Sequence, residues 1–188
     1  MKQIYFLFAL LTVLVFSACE GPMGLAGRDG FNGLDGRDGS DGVNTLSQVI
    51  EIQTSFDQNN SYEQLYTFPQ SVQVFESDLI LVYLLFEQTT DNQGNAIDVW
   101  RLMPQTRILD QGLLQYNYDH SFIDVRLFLE SDFDLSLLGA GDLENQIFRI
   151  AVVPGEYANA GKMNLSSLEE VMHILNVEEK DVSRVLLN

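Results

Sequence analysis

From residue 45 onward, apolar and polar positions alternate. Ile50, Ile52, Thr54 and Phe56 interleave with Glu51, Gln53 and Ser55, the period of a strand with one buried face. Asp57-Gln58-Asn59-Asn60 reads as a turn. Residues 62–68 form a second strand, stopped by Pro69, which has no N–H to give a ladder. Residues 79–87, LILVYLLFE, do not alternate; an unbroken β-rich apolar run predicts a central strand buried on both faces. Asp91-Asn92-Gln93-Gly94-Asn95 is a loop, and 97–102 a strand. Residues 107–109, the turn Asp110-Gln111-Gly112 and residues 113–118 make a hairpin. Residues 122–129 alternate again, 131–144 read as an acidic loop region, and 147–153 as a final strand. Then the period changes. Ser166 and Glu169 have capping-box spacing, and Leu168, Val171, Met172 and Leu175 lie on one stripe of a short helix. Val182, Val185 and Leu186 suggest a second helical turn. About seven or eight short strands followed by a small helix predict an antiparallel β-sandwich, the helix covering an edge or an end. No helical pattern separates the strands, which argues against a parallel α/β sheet.

The first 44 residues follow other rules. After Lys2, residues 4–16 are apolar except for Thr12. As a helix they span roughly 20 Å, short of the ~30 Å hydrocarbon core, so residues 1–18 read as a cleaved export signal rather than a permanent span. Phe16-Ser17-Ala18-Cys19 resembles the lipobox of bacterial lipoproteins, with Cys19 as the lipidated residue and new N-terminus; Phe16 stands where an aliphatic residue is usual. Multiple acyl chains on one Cys anchor stably, each buried CH₂ contributing about 0.8 kcal/mol. Glu20, rather than Asp, follows the cysteine, which favours an outer membrane.

Glycine then recurs at Gly21, Gly24, Gly27, Gly30, Gly33, Gly36, Gly39 and Gly42, eight Gly-X-Y triplets in phase. Strict period three is the collagen signature, because only glycine fits at the axis of three wound chains. Pro22 is the sole proline among the X and Y positions, so an ordered homotrimeric stalk and a flexible tether both remain open at this point. The chain therefore divides into residues 1–18, 19–44 and a head over 45–188.

The order of lipobox, short collagen segment, and then VFESDLILVYLLFE, DVWRLMPQT, LQYNYDHSFIDVRLFLE and FRIAVVPGEYA resembles a family of small collagen-like lipoproteins of Gram-negative bacteria. The resemblance covers nearly the whole chain. It implies a cell-envelope lipoprotein and supplies no activity, ligand or catalytic residues.

A net charge of −17 excludes nucleic acid as a partner and gives no electrostatic attraction to anionic lipid, so membrane attachment rests on the lipid. With one cysteine and two histidines there is no intramolecular disulfide and no Cys-cluster zinc site. Tyr118-Asp119-His120 is the one local group of acid–base residues. No activated serine accompanies it, and Asp119 and His120 read as solvated; His173 lies on the polar side of its helix. The loop acids Glu76, Asp78, Glu130, Asp132, Asp134, Asp142 and Glu144 are read first as solubilising groups. Asp132, Asp134 and Asp142 are the best set for a weak calcium site, though no metal is required. Trp100, Tyr62, Tyr66, Tyr116 and Tyr118 are the material for a sugar platform, and aromatics in alternating strands are more often core, Trp100 among them.

The expectation is a non-enzymatic, membrane-anchored envelope lipoprotein without cofactor. Its collagen-like spacer presents an acidic binding or assembly domain to an envelope protein or a glycan. A surface glycan-binding module is the alternative, and an envelope hydrolase the weaker third.

Overall fold

The structure is a computed structural model, and it describes residues 48–158 and 164–187. Cys19 and the eight Gly-X-Y glycines lie outside the described residues. The chain divides into two units, Met1–Ser40 and Asp41–Asn188, and the described residues all belong to the second.

That unit is mainly β. Its strands are β1 Gln48–Thr54, β2 Glu63–Thr67, β3 Leu79–Thr90, β4 Ala96–Leu102, β5 Gln105–Leu109, β6 Gly112–His120, β7 Asp124–Ser131, β8 Gln146–Val153 and β9 Ser183–Leu186. They form a five-stranded sheet, β4-β3-β8-β1-β9, and a four-stranded sheet, β2-β7-β6-β5. Every pairing is antiparallel except β1 with β9. Three short helices, α1 Ala140–Leu143, α2 Gly155–Ala158 and α3 Leu168–Ile174, complete the fold with two 3-10 turns at Leu135–Leu137 and Glu179–Asp181.

The two sheets share one core. Ile50 and Ile52 of β1, Val82 and Leu84 of β3, and Phe148 and Ile150 of β8 join Leu114, Tyr116, Leu127 and Leu129 of the other sheet. Phe148 anchors the centre, fully buried, with Phe56 edge-on at 6.1 Å and Tyr116 tilted at 6.5 Å. Each such large side chain, fully buried, contributes about 1.5–3 kcal/mol. The continuous apolar reading of residues 79–87 holds through Leu84. Ile80, Val82 and Leu84 face this core, while Leu81 and Tyr83 face a second cluster on the opposite side.

That second cluster changes the predicted role of the helix. α3 covers a sheet face, not an edge or an end. Leu168, Val171, Met172 and Leu175 pack on Val49, Leu81, Tyr83, Ala151 and Val153, the outward side chains of the five-stranded sheet. The helix starts one residue later than its capping-box spacing suggested. Ser167, not Ser166, is the N-cap, its Oγ accepting from Glu170 N at 3.2 Å, while Glu170 Oε1 accepts from Asn164 N.

Two further expectations are corrected. Val182, Val185 and Leu186 do not form a helical turn. The chain makes a 3-10 turn at Glu179–Asp181 and continues as β9, parallel to β1 with Ile52 opposite Val185. A four-residue strand is too short for period two to stand out against period 3.6. The strand expected from Phe122 begins at Asp124. Phe122 and Ile123 sit in the preceding turn, closed by Ser121 Oγ donating to Asp124 Oδ1 at 2.6 Å. Turn chemistry elsewhere matches the sequence. Asp91 Oδ1 accepts from Gln93 N and Asn95 N, both at 2.8 Å, and Gly94 takes φ +86. The two-residue loop Asp110-Gln111 closes the β5–β6 hairpin with Leu109 opposite Gly112.

Candidate functional site

The two sheets differ in what covers their outer faces. On the five-stranded sheet the C-terminal segment is locked down by charge as well as by packing. Register places Arg149 of β8 between Tyr83 and Glu51, and Glu51 beside Arg184 of β9. Arg149 is 3 % exposed. Its Nε and Nη2 donate to Glu51 Oε2 at 3.0 and 2.8 Å, Nη1 donates to Glu179 Oε2 at 2.8 Å, and Nη2 also meets Glu179 Oε1. The guanidinium lies 4.3 Å from the Trp100 ring, and Arg184 Nε reaches Glu51 Oε1 at 3.1 Å. Burial works against the Arg149 charge, yet the hydrogen bonds to Glu179 and Glu51 outweigh it and raise its pKa above the ordinary value. Sequence reasoning missed this group. Its signal was an arginine inside the apolar run 147–153, where a charge needs a partner to be tolerated.

Three tyrosine hydroxyls tie the sheets to each other and to the segments packed on them. Tyr83 donates to Leu165 O at 2.6 Å, Tyr116 to Asp142 O at 2.8 Å and Tyr118 to Ile80 O at 3.2 Å. Burial pushes the Tyr116 phenol up to about 12 and raises Tyr66, Tyr83 and Tyr118 as well. The aromatics named for a sugar platform are engaged in packing to different degrees. Tyr66 and Tyr116 are buried, Tyr62 and Tyr118 pack against the shared core, and Trp100 packs against the second cluster.

The acids proposed for calcium are engaged separately. Asp132 Oδ1 accepts from Leu113 N at 2.8 Å, at the close approach of Gly112. Asp134 caps the Leu135–Leu137 turn by accepting from Ser136 N, which lowers its pKa. Asp142 pairs with Arg107 at 2.9 Å. Among the described residues no three His, Cys, Asp or Glu side chains come together as a metal would need, so Asp132, Asp134 and Asp142 are not brought into one site. Asp78 accepts from Phe75 N and Gly155 N, and Glu130 from Asn117. In Tyr118-Asp119-His120, Asp119 and His120 are exposed as expected. Asp119 is held below the usual carboxylate range first by its hydrogen bond from Arg126. His120 stacks on Tyr118 at 6.2 Å and borders a shallow pocket of about 190 Å³ with Val74, Phe75, Ile80 and Phe122. His173 is exposed on α3.

The outer face of the four-stranded sheet is the accessible one. Alternation turns Leu65, Arg126, Phe128, Asn117, Gln115 and Glu130 outward, away from the shared core. Arg126 stands 4.9 Å from the Phe128 ring and pairs with Glu63 at 3.3 Å and with Asp119. Asn117 Nδ2 donates to Glu130 Oε2 at 2.9 Å, and Gln115 Nε2 to Thr106 Oγ1 at 3.2 Å. This is a polar, hydrogen-bonding surface with Leu65 56 % exposed at its margin. Among the described residues no helix is long and apolar enough to cross a membrane. No family model, no curated protein and no solved structure matches this chain.

Proposed function

We propose that this chain is a lipid-anchored envelope protein whose Gly-X-Y segment spaces an acidic β-sandwich head from an outer membrane, the head acting in binding or assembly. The observation that carries the reading is the position of the sole cysteine. Cys19 follows a thirteen-residue apolar stretch and two small residues, and eight in-phase triplets begin two residues later. The head supports it by its asymmetry. One sheet is sealed by the C-terminal segment, and the other offers Arg126, Phe128, Asn117 and Glu130 to a partner.

Cell fractionation of Cys19→Ser tests the anchor. The reading expects the variant to be unprocessed or released from membranes. Normal processing with membrane retention in high salt contradicts it. Affinity capture of the lipidated protein from its own membranes then tests the head. An envelope partner lost on Arg126→Glu and Phe128→Ala is expected, and a partner held equally by both variants places binding elsewhere.

A further inference from the structure

We propose that the end of the head where β1 begins is the surface on which three copies of this chain meet, with Phe75 and Phe122 at its apolar centre. The proposal rests on the collagen-like reading of residues 21–44 and names the partner of the head at that end.

Strand register gives the location. Gln48, the first described residue, lies opposite Val152, and Val152 lies opposite Ile80. Two strand spacings, about 10 Å, therefore separate Gln48 from Ile80. Ile80 lines the pocket bordered by Val74, Phe75, His120 and Phe122, and Tyr118 Oη donates to the Ile80 carbonyl. The end of β6 and the turn after it thus sit at the same end of the fold as Gln48.

The side chains there are apolar and held outward. Phe75 is 40 % exposed, and Phe122 and Ile123 are each 52 % exposed. Their backbone is not loose. Ser121 N donates to Asp124 O at 2.9 Å, Ile123 N donates to Ser121 Oγ at 3.1 Å, and Phe68 N donates to Ile123 O at 2.8 Å. Phe75 N donates to Asp78 Oδ2 at 3.0 Å. Polar bonds on all sides keep two phenylalanines and an isoleucine in water, where a turn would ordinarily carry polar residues. Of the nearby carboxylates, Asp78 accepts from Phe75 N and Gly155 N and Asp124 from Ser121 Oγ, while Glu76 also lines the pocket.

The occupant follows from the repeat. Gly at every third position has its physical use at the axis of three identical chains. The last triplet ends at Asn44, four residues before Gln48, a reach of at most about 14 Å. If the repeats wind about one axis, three Gln48 ends are held within that reach, at high effective concentration. The surface beside Ile80, at the Gln48 end of the fold, is what they present to each other. Ile108, 86 % exposed on the β5–β6 hairpin, has no such constraint. The head has twenty-two acidic and seven basic residues, so charge opposes this contact and salt should tighten it, the reverse of a charge-paired interface.

The test is sedimentation of the lipidated full chain in mild detergent across a dilution series, with far-ultraviolet dichroism to confirm the fold. Wild type should dissociate from a trimer. Phe75→Asp with Phe122→Asp should raise the midpoint concentration by about tenfold or more. Ile108→Asp should leave it unchanged, and added salt should lower it. If the double variant unfolds, Phe122→Ser alone is read by the same shift. A trimer whose midpoint ignores these substitutions overturns this surface and leaves the collagen-like stalk standing. A wild-type monomer at every concentration overturns the surface and the trimeric stalk together.

Discussion

Replacing Glu51 with Gln leaves the Arg149 guanidinium, 3 % exposed, with only one carboxylate partner. Removing one member of a buried pair costs about 3–5 kcal/mol because the remaining charge stays desolvated. Glu179 still faces Arg149 here, and an amide can still accept one hydrogen bond, so the loss should fall to about 2–3 kcal/mol. For a head of this size that lowers Tm by roughly 6–10 °C. Glu179→Gln should cost no more than about 1 kcal/mol, because that side chain is 60 % exposed and water replaces its charge. Arg149→Met combined with Glu51→Leu should recover most of the loss, since a matched apolar pair needs no counter-charge. Trp100, the only tryptophan, lies 4.3 Å from the guanidinium and reports the event. Urea unfolding followed by its fluorescence measures all four proteins. Equal, small effects of Glu51→Gln and Glu179→Gln would refute the claim that this ion cluster is buried and holds the C-terminal segment.

Two further outcomes are expected. Gly112 has φ +145, and a Cβ there would lie 2.2 Å from Asp132 Oδ1, so Gly112→Ala should lower stability by about 1–3 kcal/mol in chemical denaturation, with part of the loss returned by Asp132→Ala. The folded values of Tyr66, Tyr83, Tyr116 and Tyr118 lie above the ordinary 10, with Tyr116 at about 12. The folded state therefore keeps protons that the unfolded chain releases above pH 10. Stability is whole below that pH and lost as pH rises through the window, by up to about 1.4 kcal/mol per unit and per tyrosine. Ionisation of these four phenols should appear together with unfolding, and their ionisation at ordinary tyrosine pH in a folded protein would count against the burial.

The strands were legible where burial repeats with a short period. Ile50 and Ile52 alternate because one face of β1 meets the shared core, and Leu81 and Tyr83 break the alternation because α3 covers the other face of β3. The sequence could not show that α3 would choose that face, since an apolar stripe such as Leu168, Val171, Met172 and Leu175 fits any apolar surface. Nor could it separate β9 from a helical turn, because Val182, Val185 and Leu186 fit both periods over so short a stretch. Arg149 and Glu51 are 98 residues apart, and only strand register brings them together. Phe122 looked like the start of a strand because it precedes an alternating run, whereas the Ser121–Asp124 turn holds it in solvent. The acids Asp132, Asp134 and Asp142 suggested a cation by their number, and the fold uses them as a backbone acceptor, a cap and an arginine partner.

The central claim is that Cys19 carries the lipid that holds this protein to its membrane. Mass spectrometry of the N-terminal peptide of the mature protein, taken from the membrane fraction of its native cells, tests it most directly. The account predicts a peptide that begins at Cys19, with residues 1–18 absent and the mass of glyceryl and acyl groups added to that residue. A peptide that retains Met1, or one cleaved nearby with an unmodified Cys19, would contradict it.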